Sequence, residues 1–316
     1  MVDAARSKAD WADAWLAWLT TQRKLSPHTV AAYRRDLAEL AAFSADTPWT
    51  ELGQADLRRY AVRLRSQELA ARSIARKLSC CRTFYDWLGQ ATPLAANPVA
   101  GVRAPKRAKS LPKALSVDDA VNLVATPAHP HAAPEPADLC NRAMFELLYS
   151  SGLRVSELAG LDVHYRKADR DGPASLGWLD LGSGEVTVTG KGNKKRTVPV
   201  GSAALDALAS WLAVRAAPAD GSNALFISTR GSRMSPRVVQ LRLRAHGVAT
   251  GAPVGVHPHM LRHSFASHVL QSSGDLRAVQ EMLGHTSITS TQVYTALDFQ
   301  HLAQVYDQTH PRAKLK

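Results

Sequence analysis

The sequence predicts a mainly α fold with a small β-hairpin or sheet, divided into an N-terminal helical bundle and a second, larger unit. Three observations carry this expectation. Apolar residues recur at helical spacing behind capping residues through the first hundred positions. A basic stretch broken by prolines then interrupts the pattern. Beyond it, one pair of segments alternates apolar and polar residues as strands do, while the rest reads as helix.

Residues 1–102 read as helices throughout. Ser26-Pro27 supplies an N-cap followed by proline at the first helical position, where a missing N–H is no loss. Val30, Tyr33, Leu37, Leu40 and Phe43 then follow at helical spacing. A third segment places Leu57, Tyr60 and Leu64 on one face, and a fourth carries Ile74, Leu78, Cys81, Phe84 and Leu88 and is expected to end at Gly89. Their polar faces are rich in cations: Arg58, Arg59, Arg63 and Arg65, then Arg72, Arg76, Lys77 and Arg82. Such faces are either plain solvated surface or a contact for a phosphate backbone.

Residues 103–115 contain five cations (Arg103, Lys106, Arg107, Lys109, Lys113) and two prolines, Pro105 and Pro112, with no acid. So little apolar surface and so many breaks in hydrogen bonding suit a linker rather than a packed element. The second unit opens at Ser116-Val-Asp-Asp119, a capping-box pattern. Glu185-Val-Thr-Val-Thr189 reads as a strand, residues 190–195 as a turn and Arg196-Thr-Val-Pro-Val200 as the returning strand, which puts Lys191 at the hairpin tip. Ser235-Pro236 caps a further helix, and helices are expected near 258–273, 275–283, 287–297 and 299–309. The connection from Tyr165 to Gly177 is long and carries glycine and charge, as a surface loop or a contact for a partner would.

At 316 residues with 45% hydrophobic content, the chain can bury two cores without disulfide or metal staples. Its 39 Lys and Arg against 27 Asp and Glu leave a net charge of +12. That excess favours a polyanionic partner through counterion release, although charge alone also describes many merely basic proteins. Cys80, Cys81 and Cys140 have no CxxC spacing and read as buried free thiols of a reducing compartment. The N-terminus lacks the pattern of an export signal and no 18-residue apolar run occurs, so a cytoplasmic location is expected.

Chemistry concentrates in six polar residues of the second half: Arg154, Lys191, His259, Arg262, His285 and Tyr294. Together they offer two permanently charged guanidiniums, an amine, two imidazoles and a phenol, a set suited to attack on a phosphodiester. Singly, each has a plainer reading: a surface arginine, a turn lysine, a helix-capping histidine, a packed tyrosine. Other motifs are weak. Gly184 to Lys191 misses the P-loop spacing and has Gly192 where Ser or Thr is needed. His257, His259 and His263 suggest a metal, but Met260 stands where a zinc-protease motif needs glutamate, so no metal is expected, and His263 and His268 read as structural.

In order and context, Ser151-Gly-Leu-Arg-Val-Ser-Glu-Leu158, Thr189-Gly-Lys-Gly-Asn-Lys-Lys-Arg196, His257-Pro-His-Met-Leu-Arg-His263, Leu283-Gly-His285 and Tyr294 nine residues on resemble the tyrosine recombinases. The match spans essentially the whole chain. The resemblance implies a helical, SAM-like core DNA-binding domain over 1–102, the linker over 103–115, a catalytic domain over 116–298, and a C-terminal helix and tail over 299–316 for subunit contact. It implies Tyr294 as nucleophile, forming a 3′-phosphotyrosyl bond, and Lys191 as the acid that protonates the departing 5′ oxygen. Arg154 and Arg262 would neutralise the phosphate, with His259 and His285 positioning it and assisting proton movement. Glu157 would orient the arginines or hold its helix. Exchange of one phosphoester for another requires no cofactor, neither ATP nor a divalent metal. The implied partners are a double-stranded DNA recombination site, a XerD-like recombinase in a heterotetramer and the DNA translocase FtsK, with chromosome dimer resolution at cell division as the task. Alternatives are an integron or phage-type integrase or a plasmid resolvase of the same family, a non-catalytic DNA-binding regulator, and a metal nuclease built on the histidines.

Overall fold

A computed structural model of the chain describes residues 6–105, 114–129, 132–168, 173–190, 194–252 and 255–284. Lys191, His285, Tyr294, most of the 103–115 linker and the helices expected near 287–297 and 299–309 lie outside the described residues. The chain divides into two compact units, Met1–Ser110 and Leu111–Lys316.

The first unit contains helices α1 (Lys8–Thr21), α2 (Pro27–Phe43), α3 (Gln54–Ser66) and α4 (Ala71–Ala91), with a short 3-10 turn at Trp49–Glu51. Ser26 caps α2 by accepting from the Thr29 N–H. The apolar stripes meet in a core where Trp15 stacks on Tyr33 and meets Phe84 edge-on, with Leu57, Leu64 and Leu88 fully buried around them. Gly89 does not end α4. The helix continues to Ala91 and stops at Thr92, whose extended conformation is what the following Pro93 demands and whose hydroxyl and N–H both donate to the Leu88 carbonyl. Lys77 is not on the exposed face: it is buried and reaches Glu39 Oε2 at 2.5 Å and Asp36 Oδ1 at 3.3 Å, while Arg76 also pairs with Asp36. The remaining seven cations of that set are exposed.

The second unit contains α5 (Val117–Ala125), α6 (Pro136–Ser151), α7 (Val155–Ala159), β1 (Leu161–Asp162), β2 (Gly177–Asp180), β3 (Glu185–Thr189), β4 (Lys195–Pro199), α8 (Ser202–Val214), α9 (Pro236–Ala249), α10 (Pro258–Ser273) and α11 (Leu276–Leu283). The strands form one sheet in the order β1-β2-β3-β4, with β1 parallel to β2 and the other pairs antiparallel. The expected hairpin forms, but its returning strand starts one residue earlier, with Lys195, read as turn, opposite Thr189 and Arg196 opposite Val188. The two further strands are too short to show a period in sequence. Gly177 opens β2 because a Cβ there would lie 2.9 Å from the Thr187 carbonyl.

The long connection before β2 is tied down at its ends. Arg166 and Ser175 exchange two hydrogen bonds, and the Ser175 hydroxyl donates to Asp162 Oδ2 at 2.5 Å. Tyr165 packs on Trp178, 4.8 Å between ring centroids, with the Lys195 ammonium 5.5 Å from the Trp178 ring. No helix among the described residues is long and apolar enough to cross a membrane.

Candidate active site

The end of α6 sets the geometry. Gly152 caps that helix in a left-handed conformation (φ +57°), and a Cβ there would lie 2.3 Å from the Phe265 ring on α10. Only glycine allows this approach, and it brings the Gly152 carbonyl within 2.6 Å of Arg262 Nη1. Arg262 Nη2 donates to the Leu283 carbonyl at the end of α11, also at 2.6 Å. The guanidinium is thereby buried with directional partners, 5% exposed.

Arg154, two residues beyond Gly152, is the N-cap of α7. A helix start places backbone N–H groups beside the guanidinium, so that both can face one anion. Here the backbone N–H donates to Glu157 Oε2 and Nη1 donates to Glu157 Oε1, both at 2.8 Å. The anion served by that helix start is the chain's own carboxylate. The Arg154 side chain is still 30% exposed, and a guanidinium has five N–H donors, so it retains donor capacity toward solvent.

Glu157 is the hub. Arg196 on β4 donates to both of its oxygens, Nη1 to Oε1 at 2.8 Å and Nη2 to Oε2 at 2.7 Å, and Arg262 Nη1 stands 4.0 Å from Oε2. Burial pushes the Glu157 carboxyl up, but the hydrogen bonds and charge of Arg196, then of Arg154, outweigh it and hold it at about 2. Three guanidiniums around one ionised carboxylate leave net positive charge in a partly dry setting, which is what a phosphate gathering charge requires.

His259 lies in the first turn of α10, exposed, one turn before Arg262. His257 is committed as the N-cap, its Nδ1 accepting from the Met260 N–H. His263 is half-buried; burial lowers its imidazole, and the neighbouring His259 and Arg262 lower it further. His268 is held between the Tyr149 hydroxyl at 2.9 Å and the Leu115 carbonyl at 3.0 Å, a packing role. Among the described residues no three His, Cys, Asp or Glu side chains form a metal-binding group. The structure therefore brings Arg154 and Arg262 together through Glu157, with His259 one turn from Arg262; Lys191, His285 and Tyr294 lie outside the described residues. Sequence reasoning missed Arg196. Its signal was strand alternation: 196, 198 and 200 share a face, and Val198 and Val200 are buried, so a charge there points inward.

A sequence model of the phage integrase family matches residues 113–301, and one of the phage integrase N-terminal SAM-like domain matches residues 12–91. The chain belongs to the phage integrase family. It is 54% identical over 315 residues to tyrosine recombinase XerC 1 of Ralstonia nicotianae, covering 96% of this chain and 94% of the relative. A tyrosine recombinase XerC of Pseudomonas aeruginosa is 47% identical over 309 residues, covering 96% and 95%. Among solved structures, the XerH site-specific recombinase bound to its palindromic difH substrate shares the fold at a TM-score of 0.70 and 18% identity, over 96% of this chain and 85% of that one. The XerA recombinase aligns at a TM-score of 0.52 and 28% identity, over 96% and 99%. The protein is thus a tyrosine recombinase, an enzyme of site-specific DNA strand exchange.

Proposed function

We propose that this recombinase acts at a double-stranded chromosomal site together with a XerD-like recombinase, each exchanging one strand pair, to resolve chromosome dimers at cell division. FtsK regulates the pair, and the work is cytoplasmic. The Tyr294 oxygen attacks the scissile phosphorus as its proton passes to a base, for which His259 and His285 are the candidates. The bond to the 5′ oxygen breaks, Lys191 supplies that oxygen's proton, and DNA remains attached through a 3′-phosphotyrosyl link. Attack by a 5′ hydroxyl from the partner duplex reverses these steps, so no outside energy source is consumed. Arg154 and Arg262 stabilise the five-coordinate phosphorus. Residues 299–316 contact a neighbouring subunit.

The observation that supports this reading most is the convergence of Arg154, Arg196 and Arg262 on Glu157, because it builds cationic excess around one small volume. The near-full-length likeness to XerC proteins supports the choice of XerC-type task over an integrase or a plasmid resolvase. The test is a nicked duplex carrying the site that the protein itself selects from random DNA. A denaturation-resistant protein–DNA band is expected, lost in Tyr294→Phe with binding retained. A band that persists in Tyr294→Phe would reassign the nucleophile.

A further inference from the structure

Arg196 is given no role of its own in the mechanism above, yet it makes three directed hydrogen bonds within the site. Its two terminal nitrogens grip both oxygens of Glu157, which in turn holds Arg154. Its Nε donates to the Met282 carbonyl at 2.8 Å, one residue before the Leu283 carbonyl that Arg262 uses. Its stem fills space that two glycines leave open. A Cβ on Gly284 would lie 3.1 Å from Arg196 Cδ, and a Cβ on Gly190 would lie 3.4 Å from its Nη1. Those glycines directly precede His285 and Lys191 in the chain.

We propose that Arg196 is a positioning residue for strand cleavage, holding Arg154, the start of the hairpin turn and the end of α11 in one register. The inference rests on the recombinase reading above. Nε, Nη1 and Nη2 each donate to a protein acceptor and 11% of the side chain is exposed, so the contacts through which Arg196 acts are those with Glu157 and the end of α11. The task needs a planar fork. A lysine at this position keeps a charge beside Glu157 but cannot reach two carboxylate oxygens and a carbonyl at once. The backbone backs the side chain, since β4 is paired to β3 along its whole length and presents residue 196 on its buried side.

The test compares wild type with Arg196→Gln in single-turnover adduct formation on the self-selected nicked duplex, with an ordinary scissile phosphate or with a neutral methylphosphonate there. On the phosphate, the variant is expected to be slower on the order of 10²-fold, the cost of a small misplacement, with DNA affinity changed by less than about threefold. On the methylphosphonate, which asks less of correctly placed guanidiniums, the deficit should shrink to less than about tenfold. Arg196→Lys should show the same differential and serves if the glutamine variant does not fold. Equal rates for variant and wild type on the phosphate, or an undiminished deficit on the methylphosphonate, would overturn the proposal. Failure of the wild type to form any adduct would instead overturn the recombinase mechanism on which it rests.

Discussion

Glu157 accepts from both the backbone N–H and the guanidinium of Arg154, each at 2.8 Å. A residue three positions along a five-residue helix thus fixes the rotamer of the arginine at its start. Because Arg196 clamps the same carboxylate, Arg154 is aimed before any substrate arrives. Preorganisation of this kind avoids reorganising the charges during reaction.

Glu157→Gln should destabilise the second unit by about 3 kcal/mol, because it leaves guanidiniums buried without their counter-charge. The carboxyl sits at about 2 against an ordinary 4.5. A depressed carboxyl stabilises the fold fully above its ordinary value and loses that contribution as pH falls through the folded value. Urea unfolding of wild type and variant should therefore differ most above about pH 5 and converge toward pH 2.

Arg154→Ala should slow adduct formation by about 10²- to 10³-fold while DNA affinity falls far less, since the lost donor matters most as charge develops on phosphorus. A metal chelator should leave the wild-type rate unchanged. Quench-flow or timed denaturing gels measure both, and a chelator-sensitive rate would favour metal-assisted cleavage.

Gly152→Ala should be among the more damaging single-methyl additions in the second unit. It forces a left-handed φ on alanine and drives Cβ to 2.3 Å from the Phe265 ring. Strain of that type costs about 1–3 kcal/mol, before any repacking of Phe265. Thermal melting should show the loss, and cleavage should fall with it because the Gly152 carbonyl anchors Arg262.

The thiols should be inert in the folded protein. Burial pushes Cys140 up to about 11 and Cys81 up to about 12, and raises Cys80 as well, so the reactive thiolate is scarce. A chromogenic disulfide reagent at pH 8 should label them only on unfolding.

Much of this was legible in sequence, for identifiable reasons. Helix stripes such as Leu57, Tyr60 and Leu64 are periodic over many turns, and the Ser26-Pro27 start carries its own capping chemistry. The hairpin was visible because β3 and β4 are long enough to alternate, whereas β1 and β2 are not. Gly89 misled because glycine tolerates a helix interior when Pro93 sets the stop downstream. Lys77 misled because a buried cation is invisible until Asp36 and Glu39 are known to face it. Arg154 and Arg262 were legible as motif members, but their common attachment to Glu157 and the part played by Arg196 depend on tertiary contacts that bring three distant segments together.

The central claim is that a phenolic oxygen of this chain becomes bonded to a phosphate held among these arginines. It is tested most directly by trapping the protein on a nicked duplex, digesting the adduct with trypsin and nuclease, and sequencing the nucleotide-bearing peptide by mass spectrometry. The account predicts the phosphate mass on Tyr294. A modified peptide carrying it at any other residue, or cleaved DNA with no linked peptide, would contradict it.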